Sequence, residues 1–213
     1  SLKPHMNTYH IVLNSFSKAG NPRKSLEILE EMIRMSALGL LDQKLTTTDF
    51  NAVLQAWVRS GSPESTKQIE LGFNQMKQFA SEDRFDCRPD VYTYGIVIAA
   101  IKRSGAPGAS EKALQLLREL QQLSEQNPRA ISVQPTLATY KNVISAQIHS
   151  QNSLDVEKII WVLLNELRNM HDIFWPQNTY SIERDLGWIK RELFSSSLGS
   201  KRELIEAFDK LER

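Results

Sequence analysis

A single cysteine in 213 residues, Cys87, rules out an internal disulfide and with it a small secreted fold held by staples. Long apolar runs are also missing, since no stretch approaches the ~20 residues that a membrane helix requires. Neither sign of charge dominates: 26 Lys and Arg stand against 25 Asp and Glu, a formal net charge of +1. No global field therefore points to nucleic acid or to a membrane surface, and any electrostatic site must be local. The four histidines, His5, His10, His149 and His171, show no i, i+4 pairing and no nearby cysteine, so no metal site is expected. Gly-rich phosphate loops, nucleophile elbows and carboxylate clusters are absent as well. These absences argue against an enzyme, and they give no reason to expect catalytic residues, a cofactor or a small-molecule substrate. The start, Ser1-Leu2-Lys3-Pro4, already leads into the pattern described next, so a targeting peptide is expected to be either absent or removed, which leaves the compartment open.

What is present is repetition. Tyr9-His10-Ile11-Val12-Leu13, Phe50-Asn51-Ala52-Val53-Leu54, Tyr94-Gly95-Ile96-Val97-Ile98 and Tyr140-Lys141-Asn142-Val143-Ile144 write one aromatic-x-x-Val-Leu/Ile phrase four times. The starts are 41, 44 and 46 residues apart, and a degenerate fifth follows 40 later at Tyr180. A period of this size means stacked supersecondary units, hence a solenoid. The functional question moves from a pocket to a surface, because equivalent positions of successive units form ladders.

Each unit reads as two helices. In the first helix apolar residues recur at i, i+3, i+4 and i+7: Tyr9, Val12, Leu13, Phe16, then Phe50, Val53, Leu54, Trp57, then Tyr94, Val97, Ile98, Ile101. The fourth copy keeps Tyr140, Val143 and Ile144 but carries Gln147 at the last place. Thr8, Asp49, Thr93 and Thr139 precede the aromatics, in position to cap the first turn. Gly-, Ser- and Pro-rich turns follow, and second helices are centred on 25–32, 73–76, 113–120 and 160–167. Pro4, Pro89 and Pro135 stand just before first helices, where a missing N–H does least harm. Trp57 and Trp161 are read as core residues. Toward the end Ile182, Leu186, Ile189 and Leu193 give a helix with a shifted face, and Ser200-Lys201-Arg202-Glu203 opens a last one. The expected fold is all-α, an α-solenoid of antiparallel helix pairs without a sheet. It comprises repeats at 4–45, 46–88, 89–134 and 135–175, and a degenerate repeat with a C-terminal capping helix pair at 176–213.

Pro89-Asp90-Val91-Tyr92-Thr93-Tyr94, the Ser-Gly turn, and Ala113-Leu114-x-Leu116-Leu117-x-Glu119-Leu120 resemble the pentatricopeptide repeat. The first copy, from Asn7-Thr8-Tyr9 through Lys18-Ala19-Gly20 to Leu29-Glu30-Glu31-Met32, is similar to that consensus without a gap. The periods here are longer than the family's own, so the likeness is to a long-repeat variant.

That resemblance implies a reader of single-stranded RNA at about one base per repeat, serving transcripts of a plastid or mitochondrion. The family's reading residues are the one after the aromatic and the one after the proline of the next lead-in. Here the pairs are His10 with Thr46, Asn51 with Asp90, Gly95 with Thr136, and Lys141 with Pro176. Only Asn51 with Asp90 matches a family combination, the one associated with uridine. The family's base-flanking apolar position, two before the aromatic, holds Asn7, Thr48, Tyr92 and Ala138. A second ladder lies nine residues after each aromatic: Lys18, Arg59, Arg103 and His149. At ~100° per residue it stands half a turn from the buried aromatic, hence exposed, and is spaced for phosphates. Each of these cations also sits in the last turn of its helix, where it complements the helix dipole with no ligand at all. Both readings of the cations stay open. So do two readings of the whole: RNA-binding array, or α-solenoid that docks protein subunits of an organellar assembly.

Overall fold

The computed structural model describes residues 5–82, 85–149, 156–174, 187–189 and 191. The expected fifth repeat and C-terminal cap lie almost wholly outside these residues, as do Trp175 and Pro176; of the shifted stripe Ile189 is described, helical and buried. Two compact units divide the chain: residues 1–100 with 129–133, and residues 101–128 with 134–213.

The first unit contains α1 (Met6–Lys18), α2 (Pro22–Ala37), α3 (Thr47–Ser60), α4 (Ser65–Phe79) and the start of α5 (Val91–Ser104). Helix α1 packs on α2 and α3, α2 on α3, and α3 on α4. The short links after α1 and α3 make each pair an antiparallel hairpin. The aromatic-led stripe is what these contacts bury: Phe50, Val53, Leu54 and Trp57 from α3 and Tyr94, Val97 and Ile98 from α5 are all core residues. Burying each such side chain contributes about 1.5–3 kcal/mol. Phe73 of α4 meets Tyr94 edge-on at 5.1 Å, so the second helix of one repeat holds the aromatic that opens the next. In the first copy Tyr9 and Phe16 are only half-buried, while Met6 and Leu13 supply the core contacts.

Glycines end the first helices. Gly20, Gly61 and Gly105, each eleven residues after its aromatic, have φ of 64°, 61° and 57°. That left-handed backbone favours glycine, because a Cβ would crowd the following carbonyl.

The second unit holds the end of α5, α6 (Ala109–Gln126), α7 (Leu137–Ile148) and α8 (Val156–Phe174), with α7 packed on both α6 and α8. Gln147, the polar residue on the buried stripe, is reconciled with the core by donating Nε2 to the Ser110 carbonyl at 2.8 Å. The Tyr140 hydroxyl accepts from Gln121 Nε2 at 2.8 Å beside Glu166. Burial, with the Glu166 charge adding to it, pushes this phenol up to about 12. The buried line Val156, Ile160, Leu163, Leu164 and Leu167 fixes which face of α8 is covered. Trp161 falls off that line and is 40% exposed, which corrects its expected place in the core.

One small departure from an all-helical chain occurs. Leu45–Thr46 (β1) and Phe85–Asp86 (β2) pair in parallel, Leu45 with Phe85 and Thr46 with Asp86. The lead-in to each first helix must be extended (Thr46 has φ −117° and ψ 166°), and two such lead-ins side by side bond their backbones. The fold remains an all-α helical repeat of the solenoid class, with a two-residue ladder between the spacers that precede the second and third copies.

Candidate nucleic-acid interface

The residues expected to read bases sit where one first helix meets the next, and helix capping decides how they are held. Thr46, Asp90 and Thr136 each stand at the N-terminal cap of a first helix. Asp49, Thr93 and Thr139, three residues on, return the bond, so each pair forms a capping box. The residue preceding each aromatic is therefore the second partner of the box, and the ladder residue before it is the first.

At the joint of copies two and three, Asn51 and Asp90 come together. Asn51 Nδ2 donates to Asp90 Oδ1 at 3.4 Å, and the Thr93 hydroxyl lies 2.9 Å from Asn51 Oδ1 and 2.8 Å from Asp90 Oδ1. Thr93 N–H also donates to Asp90 Oδ1 at 2.8 Å, and Asp90 N–H to Thr93 Oγ1 at 3.2 Å. Asn51 is only 7% exposed and Thr93 fully buried, so the pair forms the floor of the joint. All three contacts to the carboxylate use Oδ1, leaving Asp90 Oδ2 outside the set.

The joint of copies one and two is built on the same positions with different chemistry. Asp49, 3% exposed, accepts on Oδ2 from Thr46 N–H at 2.8 Å and from the Thr46 hydroxyl at 3.0 Å. His10 Nε2 lies 2.8 Å from Asp49 Oδ1, close but off the line of a hydrogen bond. Of the remaining positions, Gly95 is half-buried on α5 and offers no side chain. Thr136 and Thr139 cap α7 through each other at 3.3 Å. Lys141 places Nζ 4.8 Å from the centre of the Trp188 ring, a cation–π contact. Its expected partner, Pro176, lies outside the described residues.

The cation ladder divides by environment. Lys18 and Arg103 are exposed, without an ion pair or hydrogen bond among the described residues. Arg59 is exposed but turns Nη1 onto the Ser17 carbonyl at 3.2 Å and Ser17 Oγ at 3.1 Å, thus capping the C-terminus of the neighbouring α1. His149 closes α7, with Nδ1 2.8 Å from the Ser145 carbonyl.

In the base-flanking position Asn7, Thr48, Tyr92 and Ala138 are all exposed, and Tyr92 is the one aromatic, 53% exposed on the first turn of α5. The partner of Arg59 and the bridging role of Asp49 and Thr93 had no signal in the one-dimensional pattern. Both depend on which repeats touch. Among the described residues no group of three or more His, Cys, Asp or Glu could hold a metal ion, and no helix is long and apolar enough to cross a membrane.

Comparison with known proteins bears on this arrangement. A family model described as the PPR repeat matches residues 7–36. A chloroplastic pentatricopeptide repeat-containing protein of Arabidopsis thaliana is 23% identical over 164 residues, 77% of this chain and 27% of that protein. A second pentatricopeptide repeat-containing protein of the same plant is 23% identical over 132 residues, 62% of this chain and 21% of its own length. The chain thus spans about a quarter of the length of these relatives. No solved structure matches it. The relatives are similar to this chain over a stretch several times longer than the single matched repeat, and both are pentatricopeptide repeat-containing proteins, the family that its repeated helix pairs resemble.

Proposed function

We propose that this chain binds single-stranded RNA along its first helices and reads one base, a uridine, through Asn51 and Asp90. One observation carries the reading. Two side chains 39 residues apart in sequence, paired by the family's register, lie 3.4 Å from each other at a joint between repeats. Asn51 Nδ2 keeps one N–H beyond its bond to Asp90, and Asp90 Oδ2 keeps its acceptor capacity. A uracil edge offers an N–H and a carbonyl oxygen, which an acceptor and a donor side by side complement. Exposed Tyr92, two residues beyond Asp90, supplies an aromatic face for stacking. Lys18 and Arg103 are the cations best placed to meet phosphates, and Arg59 and His149 contribute less because their donors already serve helix ends. The joint of His10, Thr46 and Asp49 does not read a base, nor do Gly95 with Thr136. The setting proposed is RNA processing, stability or translation in a plastid or mitochondrion.

The test is binding of the full chain to homopolymer single-stranded RNAs at low and moderate salt. Tighter binding to poly-U supports the reading, and equal affinity for all homopolymers opposes it. A second reading, docking of protein subunits in an organellar assembly, draws on Trp161 and Val162, 40% and 45% exposed beside each other on α8.

A further inference from the structure

Asn51 can read a base only if its amide is held one way round. Its two ends differ by a donor and an acceptor, and rotation by half a turn exchanges them. Two neighbours decide the orientation. Asp90 Oδ1, on a carboxylate, repels a carbonyl oxygen, so the NH2 end of Asn51 must face it across 3.4 Å. The Thr93 hydroxyl has one hydrogen and two acceptors in reach, Asn51 Oδ1 at 2.9 Å and Asp90 Oδ1 at 2.8 Å; since Asp90 Oδ1 already accepts from Thr93 N–H and Asn51 Nδ2, that hydrogen goes to Asn51 Oδ1. Asn51 is nearly buried, so an Oδ1 deprived of this donor would have no water to turn to and the amide would leave its present rotamer. We infer that Thr93, which belongs to the repeat after Asn51, is a positioning residue for base readout: its hydroxyl fixes the Asn51 amide so that an N–H is presented.

The neighbouring joint supplies an internal contrast. There Asp49 takes the place of Thr93, and its carboxylate, which has no hydrogen to donate, lies 2.8 Å from Nε2 of the ladder residue His10. At these two joints the third residue of the following helix differs, a hydroxyl beside Asn51 and a carboxylate beside His10, and the ladder side chain is held differently in each. This inference rests on the proposal that Asn51 and Asp90 read a base.

The experiment measures affinities of the full chain for poly-U, poly-A and poly-C, with thermal melts, for the wild type, Asn51→Ala, Thr93→Val and Thr93→Ser. Thr93→Val keeps the shape and loses the hydroxyl, and Thr93→Ser keeps the hydroxyl. The expected result is that Thr93→Val reduces the preference for poly-U about fivefold or more, the scale of one base contact, while Thr93→Ser retains it. If Thr93→Val does not fold, Thr93→Ala carries the same expectation without the risk of a clash. An unchanged preference in the folded variant, or an equal loss for all three polymers, overturns the inference and leaves Thr93 a helix cap only. A wild type with no preference, or one that Asn51→Ala leaves intact, sinks the reading by Asn51 itself, which separates that failure from failure of the role assigned to Thr93.

Discussion

Arg59 and Ser17 lock two repeats together from both sides. The guanidinium reaches back to the Ser17 carbonyl at 3.2 Å, and the buried Ser17 hydroxyl reaches forward to the Ala52 carbonyl at 2.6 Å. A cation expected from the sequence to meet phosphate thus caps a helix, although the helix is its neighbour's and not its own. Arg59→Gln and Ser17→Ala are each expected to lower unfolding free energy by about 1 kcal/mol, the usual worth of such a hydrogen bond. Urea titration of the singles and the double mutant should give a coupling of about 0.5 kcal/mol or more, since the residues are in contact.

Lys18 and Arg103 behave differently. Replacing both by Gln should leave the melting temperature nearly unchanged, because neither is engaged with another described residue. The slope of log K against log salt for single-stranded RNA should fall by about 1.4, at ~0.7 for each phosphate contact. An unchanged slope would assign both to helix-dipole complementarity.

The turn glycines offer a test of the fold. Gly20→Ala and Gly61→Ala force a Cβ into backbone at φ of 64° and 61° and are each expected to destabilise by about 1–2 kcal/mol. The Cβ of residue 20 would only touch Arg59 atoms at 3.5–3.6 Å, so the loss there comes from the dihedral and not from a clash. Equal stability of both alanine variants in urea would remove the conformational argument.

Alkaline pH should weaken the chain in two stages. Burial pushes the Cys87 thiol up from 9.0 to about 11 and the Tyr140 phenol up from 10.0 to about 12. In the unfolded chain both groups lose protons earlier, so the unfolded state binds fewer protons and stability falls as pH rises. The stabilisation is complete below pH 9, declines from 9 to 11 through Cys87, and declines from 10 to 12 through Tyr140. Cys87→Ala should remove the first stage, as read by urea midpoints across this range.

How much of this was legible follows from what is local. The stripe at i, i+3, i+4 and i+7 placed Phe50, Val53, Leu54 and Trp57 in the core, because helical periodicity depends on one segment alone. Thr93 and Asp49 were legible as caps for the same reason. The part they play between repeats, reaching Asn51 and His10, depends on two segments some forty residues apart lying side by side, which no local pattern contains. Trp161 was misplaced because it sits in a run of six consecutive apolar residues, 159–164, that points in every direction around α8, and only packing chooses the covered face. The pairing of Leu45 with Phe85 was hidden in spacers that show no alternation. At the proposed reading site, the sequence paired Asn51 with Asp90 only through the resemblance, and the structure adds that they lie 3.4 Å apart, that Thr93 joins them and that Asn51 is almost covered.

The most direct measurement is the affinity of the full chain for the four homopolymer single-stranded RNAs, with and without Asn51→Thr. Poly-U should bind tightest, with a modest discrimination on the order of 1–3 kcal/mol for one informative contact. Asn51→Thr should weaken poly-U binding and, by the pattern of the family that the chain resembles, shift the preference towards guanosine. Equal affinity for all four polymers, unmoved by the substitution in a folded protein, would contradict base reading at this joint and favour the protein-docking alternative.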